Sequence, residues 1–279
     1  MPELPEVETT ARSLRPDLQG RTIAGVRGID YPPLVEPLTP ESFAARVTGR
    51  QILAVGRRAK FVLLYLDNGD VLTIHLRMSG RLHVTAGAEP PAPHVHAVLD
   101  LGDGRAVHFR DPRKFGRMRL LTAAEYAVLD AHLGPEPVAE RFSIPELAGR
   151  LHARRRARLK AVLLDQRFLA GLGNIYADET LFRAGLHPLR PAGSLTPAEV
   201  ARLHQAIRQI LAEAIAAEGT TLGDRGYLFG EDRSGQFAAR LCVYGRAGEP
   251  CPRCGTPIER QIIAGRSSHF CPHCQPGTP

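Results

Sequence analysis

Four cysteines in the last thirty residues have the spacing of a metal site. They form two C-x-x-C pairs, Cys251 with Cys254 and Cys271 with Cys274. Four thiolates in this arrangement are typical of a tetrahedral zinc ion held between two turns. Because four protein ligands leave no open position for water, we predict one structural Zn²⁺ rather than a catalytic one. Cys242, the fifth cysteine, is predicted to be a small buried residue.

The opening residues, MPELPEVETT, could supply a nucleophile. Removal of Met1 would leave Pro2 with a free secondary amine. Because α-amino groups have pKa values of about 7.7–8.0, part of such a population is unprotonated at neutral pH. The amine can then attack a carbon and form an iminium, with Glu3 as a proton donor or acceptor. Proline and acids are also favoured in any first helical turn, so this stretch alone leaves both interpretations open.

Two further stretches favour a nucleic-acid partner. LAGLGNIYADE (169–179) puts glycines at the start of a predicted helix, where backbone N–H groups bind anions. Glycine is also common at such junctions merely for packing. HFRDPRKFGRMRL (108–120) surrounds Phe115 with arginine and lysine, which suits a loop that enters duplex DNA and stacks on bases. The alternative is a strand with a basic edge and a phenylalanine in the core.

Charge and composition agree with a polyanionic partner. Lys and Arg number 36 against 29 Asp and Glu, a net charge of +7, and such a surplus attracts nucleic acid. Between residues 150 and 167 seven basic residues, Lys160 among them, face Asp165 alone. Taken alone, such a run is a solvated helix face, but beside the other signals it favours phosphate contact. No apolar run reaches membrane-spanning length and no secretory signal precedes the first helix, so we expect a cytoplasmic protein.

The remaining pattern predicts elements that could position these residues. A helix from Glu3 to Leu18 is followed by short β-rich runs separated by turns, which indicates a two-layer β-sandwich or barrel. After a linker at 133–145 the period becomes helical. Predicted helices span 147–164 and 173–184, and a third begins at the capping box Thr196-Pro-Ala-Glu199. The Gly-rich segment 218–237 is predicted to be a mobile loop.

MPELPEVETT, GNIYADE, DPRKFGR and the four-cysteine ribbon occur here in one order. In this combination the chain resembles bacterial formamidopyrimidine-DNA glycosylases from end to end. The resemblance implies an α+β fold with three domains. These are an N-terminal catalytic β-sandwich with flanking helices (1–134), a helix–two-turns–helix DNA-binding domain (135–240) that includes a lesion-binding loop at 218–237, and a C-terminal zinc ribbon (241–279).

The resemblance also implies catalytic roles. Pro2 would attack C1′ of the damaged nucleotide, and Glu3 would protonate the sugar ring oxygen or the leaving group. Lys60 would assist elimination and grip a phosphate. Arg266, predicted near the hairpin turn of the ribbon, would donate a proton in the second elimination. Glu6 would be a supporting acid of the first turn.

The same resemblance implies a set of DNA contacts. Around the flipped nucleotide the phosphate clamp would consist of His75, Asn174 and Arg266. Met78, Arg113 and Phe115 would fill the space that the flipped nucleotide leaves, and Arg113 would hydrogen-bond the orphaned cytosine. His94 and Arg155 would also touch the DNA.

The implied function is a bifunctional DNA glycosylase and AP lyase of base excision repair. It would act as a monomer on double-stranded DNA that contains oxidised purines such as 8-oxoguanine and formamidopyrimidines. The related endonuclease VIII type, which excises oxidised pyrimidines, usually begins PEGPE, whereas this chain has Leu4 at the glycine position and retains DPRKFGR. The other alternative is a zinc-ribbon protein or inactive paralogue that only binds DNA. Pro2, Glu3 and Lys60 together argue against it, since binding requires none of them.

Overall fold

The chain folds into two compact units. The computed structural model describes residues 1–86, 91–230 and 232–277. The first unit comprises Met1–His132 and Ala217–Ala238, and the second comprises Leu133–Ala216 and Ala239–Pro279. The resemblance implied that the loop 218–237 belongs to the middle domain, whereas in the structure this segment is part of the first unit. Its Glu231 lies outside the described residues.

Two antiparallel sheets form the centre of the first unit. One sheet has the strand order β1-β6-β7-β5 and the other has the order β2-β3-β4-β8. The strands are β1 Ile23–Arg27, β2 Ile52–Arg58, β3 Phe61–Leu66, β4 Val71–His75, β5 Arg81–Ala86, β6 Val95–Leu101, β7 Arg105–Arg110 and β8 Arg117–Leu121.

One hydrophobic core joins these two sheets. Leu99 and Val107 come from the first sheet and Leu64 and Ile74 from the second, and all four belong to one cluster of buried side chains. Because side chains alternate across a strand, each sheet turns one apolar face toward this cluster. Helix α1 (Leu4–Leu18) adds Val7 to the same cluster. The predicted β-sandwich and its first helix are confirmed.

Three elements of the first unit were not predicted. Helix α2 (Pro40–Val47) has Thr39 as its N-cap, and α3 (Ala123–Ala131) begins with a capping box in which Thr122 and Glu125 bond each other's backbone N–H. Both signals are readable in the sequence. Strand β5 (RLHVTA) also alternates polar and apolar residues, a strand signal that is readable in the sequence, and it pairs with β7 in the structure.

The second unit contains four α-helices among its described residues. They are α4 Ile144–Ala153, α5 Leu159–Leu164, α6 Asn174–Ala184 and α7 Pro197–Ala216. The prediction of a single helix over 147–164 is wrong, because the chain turns between α4 and α5. The first N–H groups of α5, those of Leu159 and Lys160, donate to the carbonyls of Arg190 and Pro188. These tertiary hydrogen bonds replace the intrahelical ones that a continuous helix would make.

The predicted span of α6 and the predicted start of α7 are confirmed. Helix α7 begins after Thr196, whose Oγ1 accepts the N–H of Glu199 at 3.3 Å, and the apolar side chains along one face of the helix, such as Leu203 and Ile207, are buried. At the end of the chain β9 (Glu259–Ile263) and β10 (Arg266–Phe270) form an antiparallel hairpin. Among the described residues no helix is long and apolar enough to cross a membrane.

A matched pair of substitutions tests the position of the core. Leu99→Ala removes a side chain that is 1% exposed, whereas Leu53→Ala removes one that is 51% exposed. We expect Leu99→Ala to lower the free energy of unfolding by about 2–5 kcal/mol and Leu53→Ala by no more than about 0.5 kcal/mol. Urea denaturation followed by circular dichroism measures both. Equal losses would contradict the placement of Leu99 between the sheets.

Candidate functional site

The first turn of α1 carries the predicted nucleophile and acid. Pro2 is buried, and Glu3 is 2% exposed at the N-cap of the helix. The backbone N–H of Glu3 donates to Oε2 of Glu6 at 2.7 Å, one half of a capping box. This capping box holds Glu3 in an extended conformation, and it therefore fixes the direction in which Pro2 points away from the start of the helix.

Glu6 also holds the base of the loop 218–237. Its second oxygen, Oε1, accepts the N–H of Thr220 at 2.7 Å, and its backbone carbonyl accepts the Tyr227 hydroxyl at 3.2 Å. Gly219 lies so close that an added Cβ would meet Glu6 Oε1 at 2.9 Å. Glu6 is 1% exposed. It therefore joins the predicted catalytic turn to the predicted lesion-binding loop, a contact that spacing in the sequence could not indicate.

Lys60 lies in the tight turn between β2 and β3. The preceding residue, Ala59, has a positive φ of 52°, and Lys60 is 5% exposed. Arg57 braces this turn, because its Nη1 donates to the carbonyl of Ala59 at 3.1 Å while its Nε donates to Glu8 of α1 at 2.9 Å. The turn that carries Lys60 is thus tied to the helix that carries Glu3.

His75 pairs with Phe61, the residue after Lys60, across β4 and β3. Burial, together with the nearby charges of Arg77 and Lys60, lowers the pKa of His75 to about 3. Its Nδ1 accepts the backbone N–H of Arg77 at 3.0 Å. A neutral imidazole that accepts at Nδ1 carries its proton on Nε2. His75 therefore offers one N–H donor and carries no positive charge. One N–H donor is sufficient to form a hydrogen bond with a phosphate oxygen.

The predicted void-filling residues lie on two loops of the first unit. Met78 is 36% exposed and Phe115 is 47% exposed. The guanidinium of Arg113 stacks over the ring of Phe115 at 4.9 Å. The backbone carbonyl of His94, also an exposed residue, accepts the N–H of Asp111 at 2.9 Å, so His94 lies beside the loop that carries Arg113.

In the second unit the structure brings Asn174 next to the ribbon hairpin. Asn174 is the first residue of α6, and its Nδ2 donates to the carbonyl of Ser267 at 2.9 Å. Ser267 follows Arg266, which is exposed at the start of β10, directly after the turn. Two of the three predicted clamp residues are thereby placed side by side, and the prediction that Arg266 lies near the hairpin turn is confirmed.

A buried network that the sequence analysis missed supports this arrangement. Lys160 and Asp178 form an ion pair with neither side chain exposed, and Lys160 also donates to the carbonyl of Asn174 at 3.1 Å. Asp178 accepts the backbone N–H of His269 in β10 at 3.0 Å. The interpretation of Lys160 as part of a solvent-facing basic run is therefore wrong. Only its position in the helix-forming segment, followed by apolar residues, could have indicated burial.

Arg155 remains on the surface, as predicted. It follows α4 and is exposed, and its carbonyl accepts the N–H of Gly193 at 3.0 Å. An added Cβ on Gly193 would lie 2.4 Å from the Cβ of Arg155. Only glycine allows this close approach, which fixes the backbone of the exposed Arg155 against Gly193.

The four ribbon cysteines fit a tetrahedral metal ion. Their Sγ atoms all lie within 4.8 Å of one another, and three of the separations are 3.4, 3.5 and 3.9 Å. A tetrahedron with Zn–S bonds of about 2.3 Å requires sulfur separations of about 3.8 Å. The site is therefore one for a single structural Zn²⁺, held by Cys251, Cys254, Cys271 and Cys274.

Glu179 anchors the segment that leads into the ribbon. Its carboxylate accepts the backbone N–H groups of Cys242, Val243 and Tyr244 at 2.8–2.9 Å. Cys242 is half-buried, and burial raises the pKa of its thiol. A raised pKa disfavours the reactive thiolate, in agreement with the packing role predicted for this residue.

Three family models match the chain in succession. Residues 1–118 match the formamidopyrimidine-DNA glycosylase N-terminal domain, and residues 133–225 match the H2TH domain of the same enzyme. Residues 248–277 match a zinc finger found in FPG and IleRS. The formamidopyrimidine-DNA glycosylase of Chloroflexus aggregans is 55% identical over 275 residues, which is 99% of this chain and 98% of that relative.

Solved structures agree over the whole chain. The crystal structure of the MutM (Fpg) protein from Thermus thermophilus is 47% identical, covers 100% of both chains and has a TM-score of 0.88. The Lactococcus lactis Fpg mutant G226P in complex with Fapy-dG containing DNA is 34% identical, covers 99% of this chain and 100% of that one and has a TM-score of 0.90.

The fold and the site define a zinc-finger DNA repair glycosylase. The chain belongs to the formamidopyrimidine-DNA glycosylase family.

Metal analysis tests the ribbon. We expect one zinc ion per chain, and we expect Cys271→Ser to lose it because three ligands bind zinc much more weakly than four. Cys242→Ser is the matched control and should keep the metal. Loss of zinc should also lower the melting temperature of the second unit. A Cys271→Ser protein that retains a full equivalent of zinc would contradict the ligand assignment.

The protonation of His75 can be followed by NMR of its ring nitrogens. Because its folded pKa is about 3 against an ordinary value of 6.5, the ring should stay neutral, with its proton on Nε2, from pH 8 to pH 5. The unfolded chain gains a proton below pH 6.5, so His75 lowers stability progressively as the pH falls from 6.5 toward 3. His75→Gln should reduce this pH dependence. A His75 ring that titrates near pH 6.5 would disprove the inferred neutral donor.

Proposed function

We propose that this protein is a bifunctional glycosylase and AP lyase that excises oxidised purines from duplex DNA through Pro2. The observation that carries the proposal is the first turn of α1, where buried Pro2 directly precedes buried Glu3 and Glu6 clamps the N–H of Glu3. The capping box accounts for the burial of Glu3, and the catalytic proposal adds that the same carboxyl group lies next to the residue whose nitrogen becomes the nucleophile. The solved complexes of the Lactococcus lactis enzyme with Fapy-dG and abasic-site DNA support the same interpretation.

The first step is displacement of the damaged base. With Met1 removed, the lone pair of the Pro2 nitrogen attacks C1′. The bond between C1′ and the base breaks, and the base leaves with the electron pair and takes up the proton that the Pro2 nitrogen loses. Glu3 gives a proton to the sugar ring oxygen, so the ring opens and C1′ becomes the carbon of an iminium with Pro2.

Two eliminations then cut the strand. The iminium acidifies C2′, and loss of a proton there expels the 3′ phosphate. A second proton loss expels the 5′ phosphate, and hydrolysis of the iminium releases Pro2. Lys60, held at the turn that Arg57 ties to α1, assists the first elimination. Arg266 gives the proton in the second.

The DNA contacts serve base flipping. A base cannot be excised inside the stack, and extruding the nucleotide costs a few kcal/mol. His75, Asn174 and Arg266 hold the phosphates that flank the extruded sugar, His75 as a neutral Nε2–H donor and Arg266 as a cation. His94 and Arg155 add contacts along the duplex. We further propose that Met78, Arg113 and Phe115 occupy the vacated space.

The remaining features of the proposal follow from the family. Leu4 and DPRKFGR favour purine lesions over the pyrimidine lesions of the endonuclease VIII type. Zinc would hold the hairpin that carries Arg266 and would take part in no chemical step. We propose domain limits of 1–134, 135–240 and 241–279, action as a monomer and a location in the bacterial cytoplasm with the nucleoid as the place of action.

Borohydride trapping tests the nucleophile. The protein is incubated with a duplex that carries 8-oxoguanine opposite cytosine, reduced, and digested for mass spectrometry. We expect one covalent adduct on Pro2, and none when Met1 is retained, because an amide nitrogen cannot form the iminium. Tight and specific binding without an adduct would instead indicate a lesion-binding paralogue, and an oxidised-pyrimidine duplex would then be tried.

Glu3→Gln separates chemistry from binding. The variant keeps the shape of the first turn but cannot donate the proton, so we expect excision to slow by about 100-fold or more while affinity for the lesion duplex stays within about threefold. Single-turnover kinetics and fluorescence anisotropy measure the two quantities. Excision at the full rate would exclude the role proposed for Glu3.

A further inference from the structure

Asp111 is a buried carboxylate that bonds both loops carrying the void-filling residues. It is 1% exposed. Its Oδ2 accepts the N–H of Gly116 at 2.7 Å, and its Oδ1 accepts the N–H of Arg113 at 3.2 Å. The same Oδ1 accepts the hydroxyl of Ser79 at 2.5 Å. Ser79 follows Met78, so one side chain connects the loop of Met78 with the loop of Arg113 and Phe115.

The backbone of Asp111 extends these connections. Its N–H donates to the carbonyl of His94 at 2.9 Å, and its carbonyl accepts the N–H of Lys114 at 3.1 Å. Lys114 has a positive φ of 56°, which closes the loop into a tight turn. Asp111 therefore joins its own loop to the segments that carry His94 and Ser79.

Only a side chain whose polar atoms all accept hydrogen bonds fits at position 111. The three groups that face the Asp111 side chain are two backbone N–H groups and one hydroxyl. An ionised carboxylate offers acceptors on both oxygens, whereas the amide of asparagine would present N–H to one of these donors. A buried donor without an acceptor is unfavourable, so the two loops would rearrange around asparagine.

The loop 111–116 has no room for a different path. A Cβ on Gly116 would lie 2.3 Å from Cζ of Phe109 in the core and 3.2 Å from Asp111 Oδ2. The backbone of Gly116 is thus pressed between Phe109 and the Asp111 carboxylate. This contact directs the exposed Phe115 ring and the Arg113 guanidinium above it outward.

The turn that carries Met78 is equally tight, but fewer hydrogen bonds connect it to other segments. Gly80 donates to the carbonyl of Leu76 at 2.9 Å, and a Cβ on Gly80 would lie 2.4 Å from that oxygen. Arg77 has a positive φ of 55°. The backbone of such a turn determines the shape of the turn. The hydrogen bond from the Ser79 hydroxyl to Asp111 fixes the position of the turn relative to the loop of Arg113.

We propose that Asp111 is a positioning residue that holds the two void-filling loops in one arrangement before DNA binds, and so controls how the protein meets the base opposite the lesion. The inference rests on the proposed function, because it takes Met78, Arg113 and Phe115 as the residues that enter the duplex. Exposed side chains on separately moving loops would lose conformational freedom on binding, and a shared anchor reduces that loss. Displacement of Arg113 would also remove its discrimination for cytosine.

The test uses the full-length zinc-loaded protein and three variants. Asp111→Asn disturbs both loops. Ser79→Ala removes only the bond between them and leaves the turn 111–116 intact. Thr73→Ala is the matched control, because the Thr73 hydroxyl is also buried in the first unit and donates to the carbonyl of Arg119 at 3.1 Å, a bond between strands β4 and β8 that includes no residue of either loop.

Two readouts distinguish positioning from general stability. The first is the fluorescence of 2-aminopurine placed opposite a tetrahydrofuran abasic analogue in a duplex saturated with protein, which reports the surroundings of the orphaned base without any chemistry. The second is the ratio of single-turnover excision rates for 8-oxoguanine opposite cytosine and opposite adenine. Melting temperatures are measured alongside, and only variants that fold are compared.

We expect Ser79→Ala and Asp111→Asn to change the 2-aminopurine signal and to lower the cytosine-to-adenine ratio by about tenfold, the factor that corresponds to one buried hydrogen bond. Thr73→Ala should match the wild type in both readouts. If Ser79→Ala folds and leaves signal and ratio unchanged, the inference is wrong even though wild-type excision upholds the proposed function. If the wild type does not excise but the 2-aminopurine signal still changes in the variants, the inference stands and the proposed chemistry fails.

Discussion

This structure depends on hydrogen bonds in which buried carboxylates accept backbone N–H groups. Glu6, Asp111, Asp178 and Glu179 are each 1% exposed. Glu6, Asp178 and Glu179 bond the backbone of a loop or strand outside their own element, whereas Asp111 bonds the N–H of Gly116 in its own loop and the hydroxyl of Ser79 in another. A buried charge is tolerated only where hydrogen bonds compensate its loss of water. Each of these acids therefore constrains the segment it bonds to one geometry. Two of these segments carry candidate residues, namely the loop of Arg113 and Phe115 and the strand that begins with Arg266.

This arrangement also divides the charges of the chain. Several acids are buried on backbone donors, whereas Arg113, Arg155 and Arg266 are exposed. The excess positive charge, +7 in total, therefore lies on exposed basic side chains, where it can attract DNA. Two lysines are exceptions: Lys60 is 5% exposed, and Lys160 is fully buried against Asp178. The ion pair of Lys160 with Asp178 helps to hold β10 in place. Lys160 itself adds nothing to the electrostatic potential close to the surface.

Local patterns predicted several features in which a neighbour in sequence supplies the bond, although the local caps of α2 and α3 were missed. The helix at Leu4–Leu18, the cap at Thr196 and the four zinc ligands were all predicted, because capping and C-x-x-C geometry involve residues only a few positions apart. Prediction failed at 147–164, where the carbonyls of Pro188 and Arg190 bond the start of α5. A helix boundary that depends on a partner about thirty residues away has no local signal.

The amino-acid sequence by itself determined the chemistry that is available: a proline and an acid at the N-terminus, a cysteine set for zinc and basic residues around Phe115. It also determined the family, because four motifs in one order are specific. Only the tertiary structure decided that Glu6 bonds Thr220, that Asp111 bonds Ser79 and that Lys160 is buried. The physical reason is that these hydrogen bonds join residues from 18 to 214 positions apart. Their partners are selected by packing of the whole core and not by any pattern within a single segment.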